Sequence, residues 1–225
     1  MSVTDTVTRK NMFTLIAALV IAGPVGQAPK GAIVLFDGVD TSEWLHRGTN
    51  APCAWDVVEG TLVVKGGTPD LVTKRQFGDY RLHLEFQLPV MPDAKDQGRA
   101  NSGVYNLGRY EVQILDSYQN PTYKFGGCGA IYGQKDPDTD AIVPPGWWNS
   151  YDFLFRAPRL DAAGKVVEKP RLSVWHNGIR IHRDVELQGD ATTSGIEGQA
   201  PKKGPILLQN HGAPIRFRNI WIVEG

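Results

Sequence analysis

Polar and apolar residues alternate along several short stretches of this chain, and the alternation predicts strands. The clearest run is Arg81-Leu-His-Leu-Glu-Phe-Gln-Leu88, with Arg81, His83, Glu85 and Gln87 on one face and Leu82, Leu84, Phe86 and Leu88 on the other. A second pattern lies in Asn101-Ser-Gly-Val-Tyr105 and Arg109-Tyr-Glu-Val-Gln-Ile-Leu-Asp116. A period of two sends Tyr110, Val112 and Ile114 to a core face and Glu111 and Gln113 to a polar one. Turn signals separate the runs. Glu59-Gly60 predicts a tight hairpin between Trp55–Val58 and Thr61–Val64, and Asn177-Gly178 predicts another between Arg171–His176 and Ile179–His182. A last hairpin is expected from Pro205–Gln209 and Ile215–Ile222. About ten strands and no convincing helix beyond the N-terminal segment predict two antiparallel sheets packed face to face, an all-β sandwich or jelly roll. Ser117 to Trp148 is a long irregular stretch, and loops of that length usually carry function or pack on themselves.

The N-terminal 28 residues are of another kind. Arg9 and Lys10 precede an apolar run from Met12 to about Gly23, and small residues follow. This is the pattern of a secretory signal peptide over residues 1–28. An uncleaved anchor is the alternative, but the run is shorter than the roughly 20 residues of a spanning helix. The remaining residues, 29–225, are expected to form one domain, exported to the periplasm or beyond and not held in a membrane. Cys53 and Cys128 could then pair, or Cys128 could be a free buried thiol.

The 225 residues carry 24 basic and 24 acidic side chains, a net charge of zero that gives no case for a nucleic-acid partner. Neither a phosphate-binding loop nor a Gly-x-Ser-x-Gly elbow is present. No Cys/His spacing suggests zinc. The polar strand faces are better suited to a sugar, because amides and carboxylates match hydroxyl groups.

The sequence resembles the 3-keto-disaccharide hydrolase family. The segments that carry the resemblance are Leu35-Phe-Asp-Gly38, Asn101-Ser-Gly-Val-Tyr105, Gly108–Tyr118, Gly129-Ala-Ile-Tyr-Gly133, Pro144-Pro-Gly146, Leu208-Gln-Asn-His-Gly212 and Ile215–Trp221. They span nearly all of the chain beyond residue 28. The resemblance implies a concanavalin A-like jelly roll, of lectin/glucanase type, and cleavage of 3-keto-glucosides by hydrolysis or by lyase and hydratase steps. A carbohydrate-binding module of the same fold without catalysis is the alternative. Two departures stand out. Asn210 takes the place of the family's usual Asp before His211, and Asp140-Ala-Ile-Val143 stands where Asn-Ala-Ser-Arg is common.

Such cleavage needs a base for the C2 proton, an acid for the leaving oxygen and a group to stabilise the enolate. His211, in a glycine-flanked turn, is the first candidate acid or base, and Glu111 is the second. Glu85 shares the pattern of Glu111, so the two carboxylates are expected to repel one another, to share a divalent cation, or each to meet an arginine. Asn101, Gln113 and Gln209 are candidate hydroxyl binders. Arg216 and Arg218 could stabilise an enolate. Tyr105, Trp148 and Tyr151 could stack on a sugar ring. His83, His176 and His182 read as surface residues. No cofactor is implied beyond that possible cation, whose ligands the spacing does not specify.

Overall fold

A computed structural model describes residues 27–225. The segment read as a signal peptide lies outside the described residues except for its last two. Among the described residues there are fifteen strands and one 3-10 turn, Asp96–Gly98. The first eight strands are β1 (Ile33–Phe36), β2 (Trp44–His46), β3 (Asp56–Val58), β4 (Thr61–Val63), β5 (Leu71–Thr73), β6 (Tyr80–Gln87), β7 (Asn101–Asn106) and β8 (Tyr110–Leu115). The rest are β9 (Trp148–Arg156), β10 (Arg159–Leu160), β11 (Val166–Glu168), β12 (Arg171–His176), β13 (Ile179–Glu186), β14 (Leu207–Leu208) and β15 (Arg216–Glu224). The surplus over the expected ten comes from pieces of two or three residues, too short to show a period.

An eight-stranded sheet runs β13-β12-β9-β6-β15-β4-β3, with β1 also on β15, and a five-stranded sheet runs β2-β5-β14-β7-β8. The two pack face to face as an antiparallel jelly-roll sandwich. Leu82, Leu84 and Phe86 of β6 meet Val104, Val112 and Ile114 of β7 and β8 in one core. Three buried hydrogen bonds cross it. Tyr80 donates to Asn106 Oδ1 (2.9 Å), the Tyr151 hydroxyl donates to the Gln113 carbonyl (2.7 Å), and Trp44 Nε1 donates to the Leu35 carbonyl (2.8 Å).

Both predicted tight hairpins form, with Val58 opposite Thr61 and His176 opposite Ile179. Asn177 and Gly178 take the positive φ values, 51° and 77°, that a two-residue hairpin turn requires. The expected last hairpin does not form. β14 pairs with β5 and β7 in the small sheet, and β15 pairs with β6, β4 and β1 in the large one. The chain between them changes sheets. Burial also corrects the histidines, since His83, His176 and His182 are all buried. Burial pushes His176 down to about 4 and lowers His182, so both are neutral at pH 7. Cys53 and Cys128 are free thiols, and Cys128 is buried 3.2 Å from the Tyr151 hydroxyl.

Candidate active site

β7 and β8 pair with Tyr105 opposite Glu111 and Gly103 opposite Gln113, all four on the face turned away from the core. That face is nevertheless covered. The 117–147 connection returns along the free edge of β8, where Gln113 N donates to the Ala130 carbonyl (2.9 Å) and Tyr132 N to the Glu111 carbonyl (3.2 Å). A second loop, 189–198, closes over the same face. Arg109 donates to the carbonyls of Ile196 (2.5 Å) and Glu197 (2.9 Å), and Arg47 donates to those of Ser194 (2.7 Å) and Gly195 (3.1 Å). The result is a polar layer roofed by loops.

Glu111 sits in this layer at 3% exposure. Its carboxyl crosses the backbone of Gly103 so closely that a Cβ there would stand 2.2 Å from Oε1. The Tyr105 hydroxyl lies against that carboxyl. It accepts a hydrogen bond from Gln209 Nε2 (2.9 Å) and lies 3.3 Å from the Thr193 carbonyl. A phenol has one proton to give, so the carboxyl and that carbonyl compete for it. Gln209 is held beside β7 by its own N–H on the Gly103 carbonyl (3.0 Å) and by Ser102 Oγ on its carbonyl (2.8 Å). Gln113 Nε2 donates to Gln97 Oε1 (3.1 Å), and Asn101 Nδ2 donates to the same atom (3.0 Å). The side-chain oxygens of Gln113 and Gln209 are buried without a donor. Two orphaned acceptors beside a carboxyl suit hydroxyl groups of a ligand.

No arginine pairs with Glu111 among the described residues, because Arg109 spends its guanidinium on loop carbonyls. Burial raises the carboxyl to about 8, against the hydrogen bond from Tyr105, and the Asp70 carboxylate adds to the rise. Asp70 is itself fixed by Arg47 Nη1 (3.2 Å) and by the Asn210 N–H (2.9 Å). A measurable linkage follows. An unfolded chain releases the Glu111 proton near the ordinary 4.5, whereas the folded protein holds it to about 8. The stability this contributes is full below pH 4.5 and is lost as pH rises through 8. Urea unfolding at a series of pH values should show that decline, worth up to ~5 kcal/mol, and Glu111→Gln should flatten it.

The structure brings Glu111, Tyr105, Gln113, Asn101 and Gln209 together. His211 is exposed in the turn two residues past Gln209. Asn210 secures that turn by donating to the carbonyls of Lys65 and Thr68 (2.7 Å each) while accepting from Gly212 N (2.9 Å). A carboxylate could not make the first two bonds, which accounts for asparagine here. The other departure, 140–143, is tied to the large sheet, where Val143 N donates to Asn149 and the Ala141 carbonyl accepts from Asn177.

The remaining candidates lie elsewhere. Glu85, Trp148, Arg216 and Arg218 are on the outer face of the large sheet, so Glu85 and Glu111 share no site, and of the alternatives Glu85 takes the one in which it meets an arginine. Glu85 accepts from Arg218 Nε (2.6 Å) and Asn219 Nδ2 (2.9 Å). Burial opposes its ionisation, but His83, Asn219 and Arg218 outweigh it and bring the carboxyl down to about 2. The Arg218 guanidinium lies 3.8 Å from the Trp148 ring centre, and Arg216 meets Glu59 at 3.2 Å. Tyr151 is a core residue at 0% exposure, with its hydroxyl committed to the Gln113 carbonyl. No cation can be shared by Glu85 and Glu111 across two sheets, and no three His, Cys, Asp or Glu side chains gather among the described residues.

Sequence reasoning missed Asp70, Gln97, Tyr123 and Tyr132. All lie outside the alternating runs, in loops or turns. Tyr123 and Tyr132 meet hydroxyl to hydroxyl, with rings edge to face at 6.4 Å, and Tyr123 is half exposed. Gly126 lies under the Tyr123 ring, where a Cβ would approach to 2.4 Å.

Residues 31–223 match the 3-keto-alpha-glucoside-1,2-lyase-like domain. The chain belongs to this family. Among solved structures, this chain superposes on a Parabacteroides distasonis protein assigned as a glycosyl hydrolase. That pair shares 40% identity with a TM-score of 0.82, over 88% of this chain and 85% of the other. A second protein of that organism, with the same assignment, shares 20% identity and a TM-score of 0.66, over 89% and 99% of the two chains. At that identity the likeness is one of fold. No curated protein matches. Family and relative together support a carbohydrate-active, glycosyl hydrolase-like protein. No helix among the described residues is long and apolar enough to cross a membrane.

Proposed function

We propose that the protein cleaves 3-keto-glucosides and 3-keto-disaccharides, with Glu111 as the proton-transferring group. The observation that carries this reading is the Glu111 carboxyl itself. It is buried and free of arginine, and its proton affinity is poised near neutrality beside two unsatisfied amide oxygens. A general base works best when its pKa lies near the working pH.

The ketone at C3 acidifies the C2–H. Glu111, as the carboxylate, takes that proton, and the electron pair moves into the C2–C3 enolate. The enolate then expels the C1 oxygen, giving an enone and a free aglycone. His211, exposed at the bend past Gln209, is the proposed donor to the leaving oxygen. Water adds to C1 and passes a proton to His211, and Glu111, its proton exchanged with solvent in the meantime, protonates C2, so the sum is hydrolysis of the glycosidic bond. Gln113, Gln209 and Asn101 are the proposed hydroxyl binders, and Tyr123 with Tyr132 lies beside the same layer. The basic and apolar pattern of the N-terminal segment supports export as the setting for this chemistry.

An aryl 3-keto-glucoside in deuterated water tests the proposal. Aglycone release with deuterium gained at C2 is expected. Release without exchange would point to direct displacement, and binding without release would make the protein a sugar-binding module. The rate should rise with pH through about 8, because the base form is required. In Tyr105→Phe that limb should move to higher pH, since the Tyr105 hydrogen bond favours the carboxylate. An unmoved limb would show that Tyr105 serves packing alone.

A further inference from the structure

The outer face of the large sheet carries a second polar and aromatic cluster, on the opposite side of the sandwich from Glu111. The strand registers there set Trp221 beside His83 and His83 beside Asp152. The Trp221 indole stacks on the His83 imidazole at 5.0 Å and 16°. His83 Nδ1 lies 2.9 Å from Asp152 Oδ1. Burial alone would lower the His83 pKa, but Asp152 and Glu85 outweigh it and raise it to about 9, so the imidazole is charged and held in place. The indole is thus fixed from one side.

Trp221 is 6% exposed, and its Nε1–H has no acceptor among the described residues. A buried indole N–H ordinarily finds one. Trp221 lines a hollow of about 340 Å3, together with Arg218, Asn219, Asp37, Gly60 and the last two residues of the signal-like segment, Gln27 and Ala28. The hollow brings together two segments far apart in sequence, Leu35–Gly38 and Arg218–Trp221, both among the segments that carry the family resemblance. The pairing of β1 with β15 accounts for their meeting. It does not account for the unsatisfied indole. Nor does it account for the bulge between Arg218 and Trp221, where Asn219 takes a φ of 49°. Bulges of this kind re-aim side chains.

We propose that this hollow is a second saccharide site, which holds one neutral pyranose unit of a glycan away from the catalytic layer. The Trp221 N–H and the Arg218 guanidinium supply donors. Asp37 supplies an acceptor, kept ionised by the N–H groups of Asp40 and Val39 on its Oδ1 (3.0 and 2.9 Å). The volume fits a small ring, at the lower end of ordinary ligand pockets. A charged ligand gains nothing, because Arg218 is already paired with Glu85 at 2.6 Å and Asp37 is the hollow's other charged side chain.

Nuclear magnetic resonance of the nitrogen-15-labelled full chain tests this with methyl α-glucoside and maltotriose, sugars without a keto group. The six tryptophans give separate indole N–H signals, and the one missing from Trp221→Phe belongs to Trp221. That signal should shift on titration. The affinity should fall about fivefold in Asp37→Asn, the loss of roughly one hydrogen bond, in a variant whose amide oxygen can still cap Val39 and Asp40. Glu111→Gln should leave the shift unchanged, and Trp221→Phe should still release the aglycone of an aryl 3-keto-glucoside. The proposal fails if the Trp221 signal stays fixed up to tens of millimolar sugar. It fails equally if Glu111→Gln abolishes the shift, which would place the binding in the catalytic layer. Aglycone release depends on neither result, so the two readings stand or fall separately.

Discussion

Glu111→Gln should reduce kcat on a 3-keto-glucoside by about a thousandfold, the middle of the range for a general base. Glutamine is close to isosteric. It can lie over Gly103 and still accept from Tyr105, so the fold has no reason to change. What it cannot do is take the C2 proton. The variant should therefore bind substrate, keep its circular dichroism, and lose both aglycone release and deuterium exchange at C2. Stability above pH 8 should increase, because the cost of a buried charge disappears. Turnover within about tenfold of the parent protein would remove Glu111 from the mechanism.

Gly103→Ala should be nearly as damaging, and for a geometric reason alone. The new Cβ would stand 2.2 Å from Glu111 Oε1, 2.9 Å from Cδ and 3.0 Å from Cγ. The backbone of Gly103 is not in the left-handed region, so alanine meets no torsional penalty there. The flexible side chain gives way and the carboxyl moves by an ångström or so. A displacement of that size costs about a hundredfold in rate when a reacting group must be aligned. Stability should change little. The expected signature is a large fall in kcat, a small change in the urea midpoint and a pH profile displaced from that of the parent. If Gly103→Ala keeps full activity, the position of Glu111 seen here is not the one used in the reaction.

The two predictions concern neighbouring strands whose pairing was legible in advance. Alternation in Asn101–Asp116 placed Glu111 and Gln113 on one face and Tyr110, Val112 and Ile114 on the other, and the structure agrees. Glu85 shows the same alternation, and the alternation alone could not tell the two carboxylates apart. Glu85 is bonded to Arg218 and Asn219 on the far side of the molecule, whereas Glu111 has neither kind of partner among the described residues. Tyr151 shows a similar limit. Its position in an alternating strand does not reveal that its hydroxyl spans the core to a carbonyl of the other sheet.

Sequence by itself determined that this chain makes antiparallel strands with one apolar face each, where two of its tight turns fall, and which family it resembles. These are local properties, because backbone geometry imposes a period of two and turn torsions select their residues. Tertiary structure alone decided that β14 and β15 part company into different sheets, and that loops cover the polar face of β7 and β8. It also set Asp70, Tyr123 and Tyr132 around Glu111. Pairing between distant strands and the closure of loops depend on contacts far apart along the chain. It is that closure which removes water from one carboxyl and leaves its counterpart on the other sheet in an ordinary ion pair.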